Sequence, residues 1–407
     1  MKIFVVNCGS SSIKYKLFDL SAGGQGEVQA RGVLERVGSD DAELHHVAGE
    51  AAEDRHVDAP DHRTGLGVVL DALVSGPGAV LDRLDQIEGV GHRVVHGGEE
   101  VTDAAVVDEP LRDVIRRNAV LAPLHNPANL AGIDGARDAL PGALHVAVFD
   151  TAFLATLPPK AYRYAVPESW YRQHHVRRYG FHGTSHRYVS GRAAELLGKP
   201  ADRTDLITCH LGNGCSMTAV AGGRAVDHSM GMTPLDGLIM GTRCGQLDPA
   251  VVLHMLSRGM DRDAVDRALN SESGLLALSG RSNDMRDLLA ARDAGDGRAR
   301  LAIEAFVYRL VKCVGAYYVA LGRVDAVVLT GGIGENAAAV RRDIVQALAP
   351  LGAVLDDAAN EAATGGADGR ITADDARLDV WVVPTDEELM IARDTARLAG
   401  AARSGTD

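Results

Sequence analysis

Residues 4–20 read FVVNCGSSSIKYKLFDL, two apolar stretches parted by a corner of small polar residues. Beyond the corner, Ile13, Tyr15 and Leu17 fall on one face and Lys14, Lys16 and Phe18 on the other. That period of two predicts a strand, so the chain opens as a hairpin. A plain hairpin needs only two turn residues, yet Asn7, Gly9, Ser10, Ser11 and Ser12 all sit near this corner. Glycine removes side-chain bulk and tolerates positive φ, which leaves backbone amides and hydroxyls able to face a phosphate. Residues 206–220, LITCHLGNGCSMTAV, repeat the order strand, small polar corner, strand. Two halves built alike predict a duplicated fold, and a third glycine corner follows a strand at GGIGEN, 331–336.

Between these corners the patterning alternates helix with short strand, the logic of an α/β protein. Helices are predicted near 66–86, 110–120 and 127–138, with strands near 90–95 and 144–149. An irregular aromatic and basic stretch after residue 150 leads to strands near 205–210, 215–220 and 223–227 and helices near 248–258 and 261–269. Ile303, Val307, Leu310, Val314, Tyr317 and Leu321 recur at helical spacing, predicting one long helix over 298–322. Strand 325–330, helix 336–349, strand 378–383 and a final helix 386–400 complete the pattern. Residues 21–63 read as solvated strands and loops, and their histidines have no compact metal-ligand spacing.

A chain of 407 residues exceeds what one core usually serves, which predicts two domains. With 46% hydrophobic and 24% charged residues the composition is globular. A net charge of −13 argues against a nucleic-acid partner, so any bound anion must be gathered by local cations. No apolar run approaches the roughly 20 residues that span a bilayer. The five cysteines (Cys8, Cys209, Cys215, Cys244, Cys313) form no CxxC pair and read as free thiols of a reducing, cytoplasmic compartment.

Three glycine corners with cations nearby point to a nucleotide, and Lys14 stands ready to give a point charge to its phosphates. GGIGEN also spells the dinucleotide pattern GxGxxA through Gly332, Gly334 and Ala337, with Asp356 downstream for a ribose. That reading fails on context, because the strands expected after it are mostly missing and the first 320 residues would be left without a role. Cationic motifs recur in loops: His92, Arg93 and His96 in HRVVHGG, His125 in LAPLHNP, His182 and His186 in YGFHGTSH, His210 in CHLGNG and Arg243 in MGTRCGQLDP. Functional groups concentrate in such positions, and anions are the expected ligands. Asp150 ends a strand, where it serves either chemistry or capping. Asn7 and Glu387 are hard oxygen donors suited to Mg²⁺, and Glu387 is equally a first-turn helix acid.

Taken in order, NCGSSSIKYKLFD, GHRVVHGGE, LAPLHNP, VFDTAFL, YGFHGTSH, HLGNGCS, MGTRCGQLDP, SNDMRD, LTGGIGEN and PTDEELMIARDT resemble the acetate kinase family, within the acetate and sugar kinase, heat-shock chaperone and actin superfamily. The resemblance runs nearly end to end. It implies a duplicated RNase H-like fold, that of the actin-like ATPases, with a nucleotide cleft between two domains. The N-terminal domain would comprise 1–150 plus 386–407, and the nucleotide-binding domain 151–385. It further implies ATP and ADP as co-substrates, Mg²⁺ (Mn²⁺ substituting), acetate as acceptor and a homodimer, with no nucleic-acid or membrane partner. By matching positions, Asn7 and Glu387 would hold the metal, and Lys14 would lie near the nucleotide. His210, Leu211, Gly212, Asn213 and Gly214 would form a phosphate loop. Asp284, Met285 and Arg286, with Gly332, Ile333, Gly334, Glu335 and Asn336, would flank adenosine. Arg93 would hold the acetate carboxylate, His182 and Arg243 would stabilise the transferring phosphoryl group, and Asp150 would be the essential acid.

The chemistry asks for these residue types independently. A carboxylate with a pKa of about 4 is already ionised at neutral pH, so the acceptor needs no strong base. The obstacle is repulsion between carboxylate and triphosphate, which positioning and cations must overcome. Val95, Leu124, Phe181 and Pro234 adjoin the cationic motifs and match the family's small apolar acceptor pocket. Three positions depart from the family: Asp386 where Asn is frequent, Cys8 where Ala is usual, and Gln246 where an acid is common beside Arg243. Alternatives are a kinase for propionate or butyrate, and an actin-like nucleotide-switch ATPase.

Overall fold

The protein is described by a computed structural model covering residues 1–20, 26–123 and 125–404. It divides into two compact units, Met1–Phe153 with Asp386–Asp407, and Leu154–Thr385.

The first unit is built on an eight-stranded sheet. Its strands are β1 (Lys2–Cys8), β2 (Ser12–Leu20), β3 (Gly26–Glu35), β4 (Glu43–Ala48), β5 (Ala51–His56), β6 (Gly89–Val94), β7 (Ala105–Val106) and β8 (Leu144–Phe149), in the order β5-β4-β3-β2-β1-β6-β8-β7. β1 to β5 pair antiparallel, while β6 and β8 run parallel to β1. β1 is central and buried on both faces, as a strand covered by helices on each side should be. Phe4, Val6 and Cys8 join Ile13, Tyr15 and Leu17 of β2 in a core shared with Leu66, Val69, Leu70 and Leu73 of the helix His62–Val74. Ile3, Val5 and Phe18 face the other way, onto Ile391 and Ala392 of the final helix Glu387–Ser404. That helix comes close because β6 carries glycine there: a Cβ on Gly91 would lie 2.5 Å from Ile391 Cγ2.

The second unit holds a six-stranded sheet of β9 (Asp205–Leu211), β10 (Cys215–Ala221), β11 (Arg224–His228), β12 (Ala326–Thr330), β13 (Gly369–Arg370) and β14 (Asp379–Val382), ordered β11-β10-β9-β12-β14-β13. Three antiparallel strands followed by two parallel ones (β11-β10-β9-β12-β14) reproduce β3-β2-β1-β6-β8 of the first unit. The duplicated RNase H-like fold is thus visible in strand order. The long helix Gly297–Leu321, capped by Asp296 and by Gly322 at φ +73°, lays the predicted stripe from Ile303 to Tyr317 against this sheet.

Three of the elements that differ from expectation bear on the site. The helix expected over 66–86 spans His62–Val74; it starts where Asp61 accepts Thr64 N–H and stops at Ser75, before Gly76 and Pro77. The stretch after 150 contains the helix Gly183–Leu196, whose buried face includes Thr184, Ser185, His186 and Ser190. Buried polar residues leave no apolar periodicity to detect. GGIGEN is a short helix, Gly331–Asn336, rather than an open loop. Its last carbonyls are satisfied by the fully buried Arg341, which donates to Gly334 O (3.2 Å) and Glu335 O (2.8 Å). The dinucleotide spelling is therefore coincidental, and Asp356 caps the helix Asp357–Ala362.

Candidate active site

Parallel strands end together, so the residues following them gather at one edge of a sheet. In the first unit β6 and β8 pair with Arg93 opposite Val148, and the amide of Asp150 continues the ladder to Val94 O at 3.0 Å. Arg93 and Asp150 then meet as a two-pronged ion pair, Nε to Oδ1 at 3.0 Å and Nη2 to Oδ2 at 2.7 Å. Asp150 is buried; Arg93 keeps 27% of its side chain exposed, and among the described residues its Nη1 has no protein acceptor. The charge of Asp150 raises the Arg93 pKa against the opposing effect of burial.

Glu387 begins the final helix beside this pair. Burial pushes its pKa up to about 7, with Arg93 pulling down and Asp150, Glu388 and Asp386 adding to the rise. Of the four carboxylates here, Asp150 has Arg93, and Asp386 (3.4 Å) and Glu388 (3.2 Å) share Lys16. Glu387 alone of them makes no ion pair among the described residues. Asn7 lies at the end of β1, paired in register with the exposed Lys14 of β2.

The loops are held from behind by residues that motif reading did not assign to the site. Asn129 donates from Nδ2 to Cys8 O (2.9 Å) and accepts Val95 N–H at Oδ1 (3.1 Å), which ties the first corner to the segment after Arg93. Asn126 clasps both backbone groups of His96. His62 Nε2 donates to Gly9 O at 2.6 Å, and the corner closes on itself through Gly9 N to Ser12 O. Gly132 admits Cys8, for a Cβ there would sit 2.3 Å from its sulfur. Val95 is buried, and Leu124 lies outside the described residues.

In the second unit the β9–β10 corner turns tightly, with Gly212 N bonded to Gly214 O at 3.1 Å. Gly214 faces two of the predicted groups. A methyl there would lie 3.5 Å from His182 Nε2 and 3.7 Å from Arg243 Nη1. His182 has left-handed backbone angles, φ 59° and ψ 24°, unusual outside glycine. Arg243 donates to Pro234 O at 3.2 Å and has no carboxylate partner among the described residues; burial lowers its pKa. Its loop is locked by Gly241 N to Asn213 O (2.9 Å) and Ser273 N to Thr242 O (2.9 Å). Gln246 does not hold Arg243, because Arg309 donates to its carbonyl (3.2 Å) and side-chain oxygen (3.4 Å).

A cavity of about 540 Å³ opens beside this corner, lined by Gly212, Asn213, Asp284, Met285, Arg286, Gly332, Ile333 and Asn336, with Asn283, Leu289 and Ala337. Three sequence motifs distant in the chain thus share one wall. Asp284 caps the helix Met285–Asp293 and is held down to about pKa 2, chiefly by its hydrogen bond to Arg286. Leu211 and Gly334 are buried in the framework, not on this wall. Glu335 turns inward, accepting Thr330 Oγ1 (3.1 Å), Gly331 N (2.8 Å) and Thr385 N (3.1 Å) at one oxygen. His210 meets Ser185 Oγ at 2.8 Å and stacks its ring 4.3 Å from that of His182. Phe181 is buried, its amide donating to His228 Nε2 at 3.2 Å. Two of the expected cations are not cations: burial drives the pKa of His92 and His186 well down, so both are neutral core residues.

A duplicated actin-like fold whose corner joins a nucleotide-sized cavity to a histidine and an arginine without a carboxylate partner among the described residues defines a phosphotransferase. Residues 2–393 match the Acetokinase family. The chain is 50% identical to an acetate kinase of Symbiobacterium thermophilum over 98% of its own length and 99% of the relative's. A crystal structure of Porphyromonas gingivalis acetate kinase superposes with a TM-score of 0.93 at 42% identity, covering 98% of this chain and 99% of that one. A propionate kinase from Francisella tularensis gives 0.90 at 38%, over 97% and 99%. The chain belongs to the acetokinase family, kinases whose acceptor is a carboxyl group.

Proposed function

We propose that this chain catalyses reversible, Mg²⁺-dependent transfer of the γ-phosphoryl group of ATP to acetate, giving acetyl phosphate and ADP. The observation that carries the reading is Arg243, a half-buried guanidinium without a carboxylate partner among the described residues, beside His182 at the Gly214 corner. A cation left without a protein anion is suited to the equatorial oxygens of a transferring phosphoryl group. Arg93 would bind the acetate carboxylate through its Nη1 side, while Asp150 fixes the plane of the guanidinium from the opposite edge. Asp150 is thereby a positioning residue for Arg93. The 540 Å³ cavity would take the adenosine, its apolar contacts coming from Met285, Leu289 and Ile333.

The carboxylates around Glu387 fit a hard divalent cation, since crowding by Asp150, Glu388 and Asp386 helps hold its pKa up. Mg²⁺ takes few protein ligands and keeps waters and phosphate oxygens. Asn7 and Glu387 would hold it, Mn²⁺ substituting, and its charge would offset that of the phosphates.

Trapping with hydroxylamine in the presence of ATP, Mg²⁺ and acetate tests the reading: acetyl hydroxamate is expected, and folded protein giving none rejects it. ATP turnover without any carboxylic acid would favour a nucleotide switch instead. The Francisella structure favours weighing propionate as a second acceptor. Val95, Leu124, Phe181 and Pro234 would set acceptor size, and one methylene is worth only about 1–3 kcal/mol. Acetate should lead in kcat/KM with propionate slower but measurable; a preference for butyrate removes this pocket assignment.

Cytoplasmic residence is proposed, and five free thiols support it. A homodimer is supported by the helix Pro249–Ser257, which buries none of its residues and exposes Val251, Leu253 and Leu256. Light scattering should give twice the chain mass, and Leu253→Asp should lower it.

A further inference from the structure

We propose that Thr208, His186 and Ser216 form a hydrogen-bond relay that fixes a proton on Nδ1 of His182, so that His182 meets a transferring phosphoryl group as an imidazolium, through Nε2. The inference rests on the phosphotransfer reading above for the role of His182, and on donor counting for the relay itself.

The count starts at a group that can only accept. Thr208 and Thr218 face each other across β9 and β10, and Thr208 Oγ1 donates to Thr218 O at 3.4 Å. A hydroxyl has one proton. With that proton assigned to the carbonyl, Thr208 accepts from His186 Nδ1, 2.7 Å away, and the relay places hydrogen on Nδ1 of His186. His186 is fully buried, and burial with the neighbouring His228 and His210 keeps it neutral. A neutral imidazole protonated at Nδ1 has a bare Nε2, so Ser216 donates to it at 2.7 Å. The single proton of Ser216 is then committed, and Ser216 Oγ can only accept from His182 Nδ1 at 2.9 Å.

With Nδ1 occupied, the proton that His182 gains or loses is on Nε2, the atom 3.5 Å from a methyl placed on Gly214. Donation from that atom to a phosphoryl oxygen requires both nitrogens protonated, hence a positive ring. The groups around His182 divide on this. From its own helix come Ser185 and the neutral His186, from β9 His210, from β10 Ser216, from β11 the buried His228, lowered in pKa partly by His182, and from the 235–247 loop the Arg243 cation. Arg243 opposes the imidazolium; Ser216 as acceptor and the anionic phosphates favour it. Ser216 and His186 are thus positioning residues that act through His182.

Two measurements on the full chain test the relay. In protein labelled with ¹⁵N-histidine and free of ligands, imidazole nitrogen shifts should show His186 neutral with hydrogen on Nδ1 from pH 6 to 9, and His182 titrating at Nε2. A neutral His182 with hydrogen on Nε2 overturns the proposal whatever the enzyme's activity. In kinetics, Ser216→Ala should lower kcat on the order of tenfold or more with little change in the acetate KM. It should also move the high-pH fall of kcat down by about one pH unit, the loss of one charge-assisted acceptor. Ser216→Thr, which keeps the hydroxyl, should return that limb toward its original position. A Ser216→Ala enzyme with an unmoved limb refutes the relay, while failure of the wild-type chain to form acetyl hydroxamate rejects the phosphotransfer reading and leaves the nitrogen shifts standing.

Discussion

In the proposed reaction Arg93 and Arg243 would serve two tasks with one residue type. Arg93 is pinned by two bonds to a buried carboxylate, whereas Arg243 donates to a backbone carbonyl and the Met240 sulfur, both uncharged. A pinned guanidinium has a fixed plane and suits a planar, ground-state carboxylate. One held by neutral acceptors keeps its full charge for a group that becomes more demanding in the transition state. The two should separate in kinetics. Arg243→Ala is expected to lower kcat on the order of 10³-fold, as loss of an arginine finger does, and a loss under tenfold removes it from the transition state. Asp150→Asn keeps the shape but weakens the grip on Arg93. It should raise the acetate KM about tenfold, the worth of a charge-assisted bond, and leave the KM for ATP unchanged. A change in the ATP term alone would show that Asp150 acts on something other than Arg93.

Among the elements, those whose apolar residues repeat were legible in the sequence, and those whose buried face is polar were not. The hairpin β1–β2, its counterpart β9–β10 and the helix Gly297–Leu321 follow from alternation and from a helical stripe. The helix Gly183–Leu196 escaped because its inward face is Thr184, Ser185, His186 and Ser190. The same contrast governs the site. Arg93, His182 and Arg243 stood out as cations among glycines, but Ser216, Asn129 and His62 act by hydrogen bonds to groups far off in sequence, for which no local pattern exists. Asn129 offers a direct check on an element that holds two loops. Asn129→Ala leaves Cys8 O and Val95 N without their partner, so urea unfolding should show a loss of about 2 kcal/mol. Its kcat/KM should fall for acetate and ATP together, because the first corner and the Arg93 segment both lose their strap. Unfolding at wild-type urea concentrations would mean water replaces the amide at no cost.

For the molecule as a whole, the site residue Glu387 predicts a conflict between stability and function. With a pKa near 7 in the folded chain and about 4.3 unfolded, Glu387 keeps its proton when folded over a range in which the unfolded chain has released it. The unfolded state then binds fewer protons, so stability falls as pH rises from about 4.5 to just above 7, and stays low beyond. The buried histidines His92, His186 and His228 work in the opposite direction. Their pKa values are pushed well down, so below about pH 6.5 the unfolded chain takes up protons the fold refuses, and stability is lost as pH falls. Three histidines outweigh one carboxyl, so together the effects leave the metal-free protein most stable near neutral pH. Glu387→Gln removes one effect and leaves the other. In metal-free protein it should raise stability at pH 8 by about 3–4 kcal/mol and leave it nearly unchanged near pH 4.5, where the wild-type carboxyl is protonated in the fold. Urea midpoints at the two pH values decide the matter: an equal gain at both would mean that the side chain's size, not its charge, strains the fold. A gain confined to high pH, accompanied by a higher Mg²⁺ concentration for half-maximal activity, would identify the strained carboxylate as the group a cation relieves.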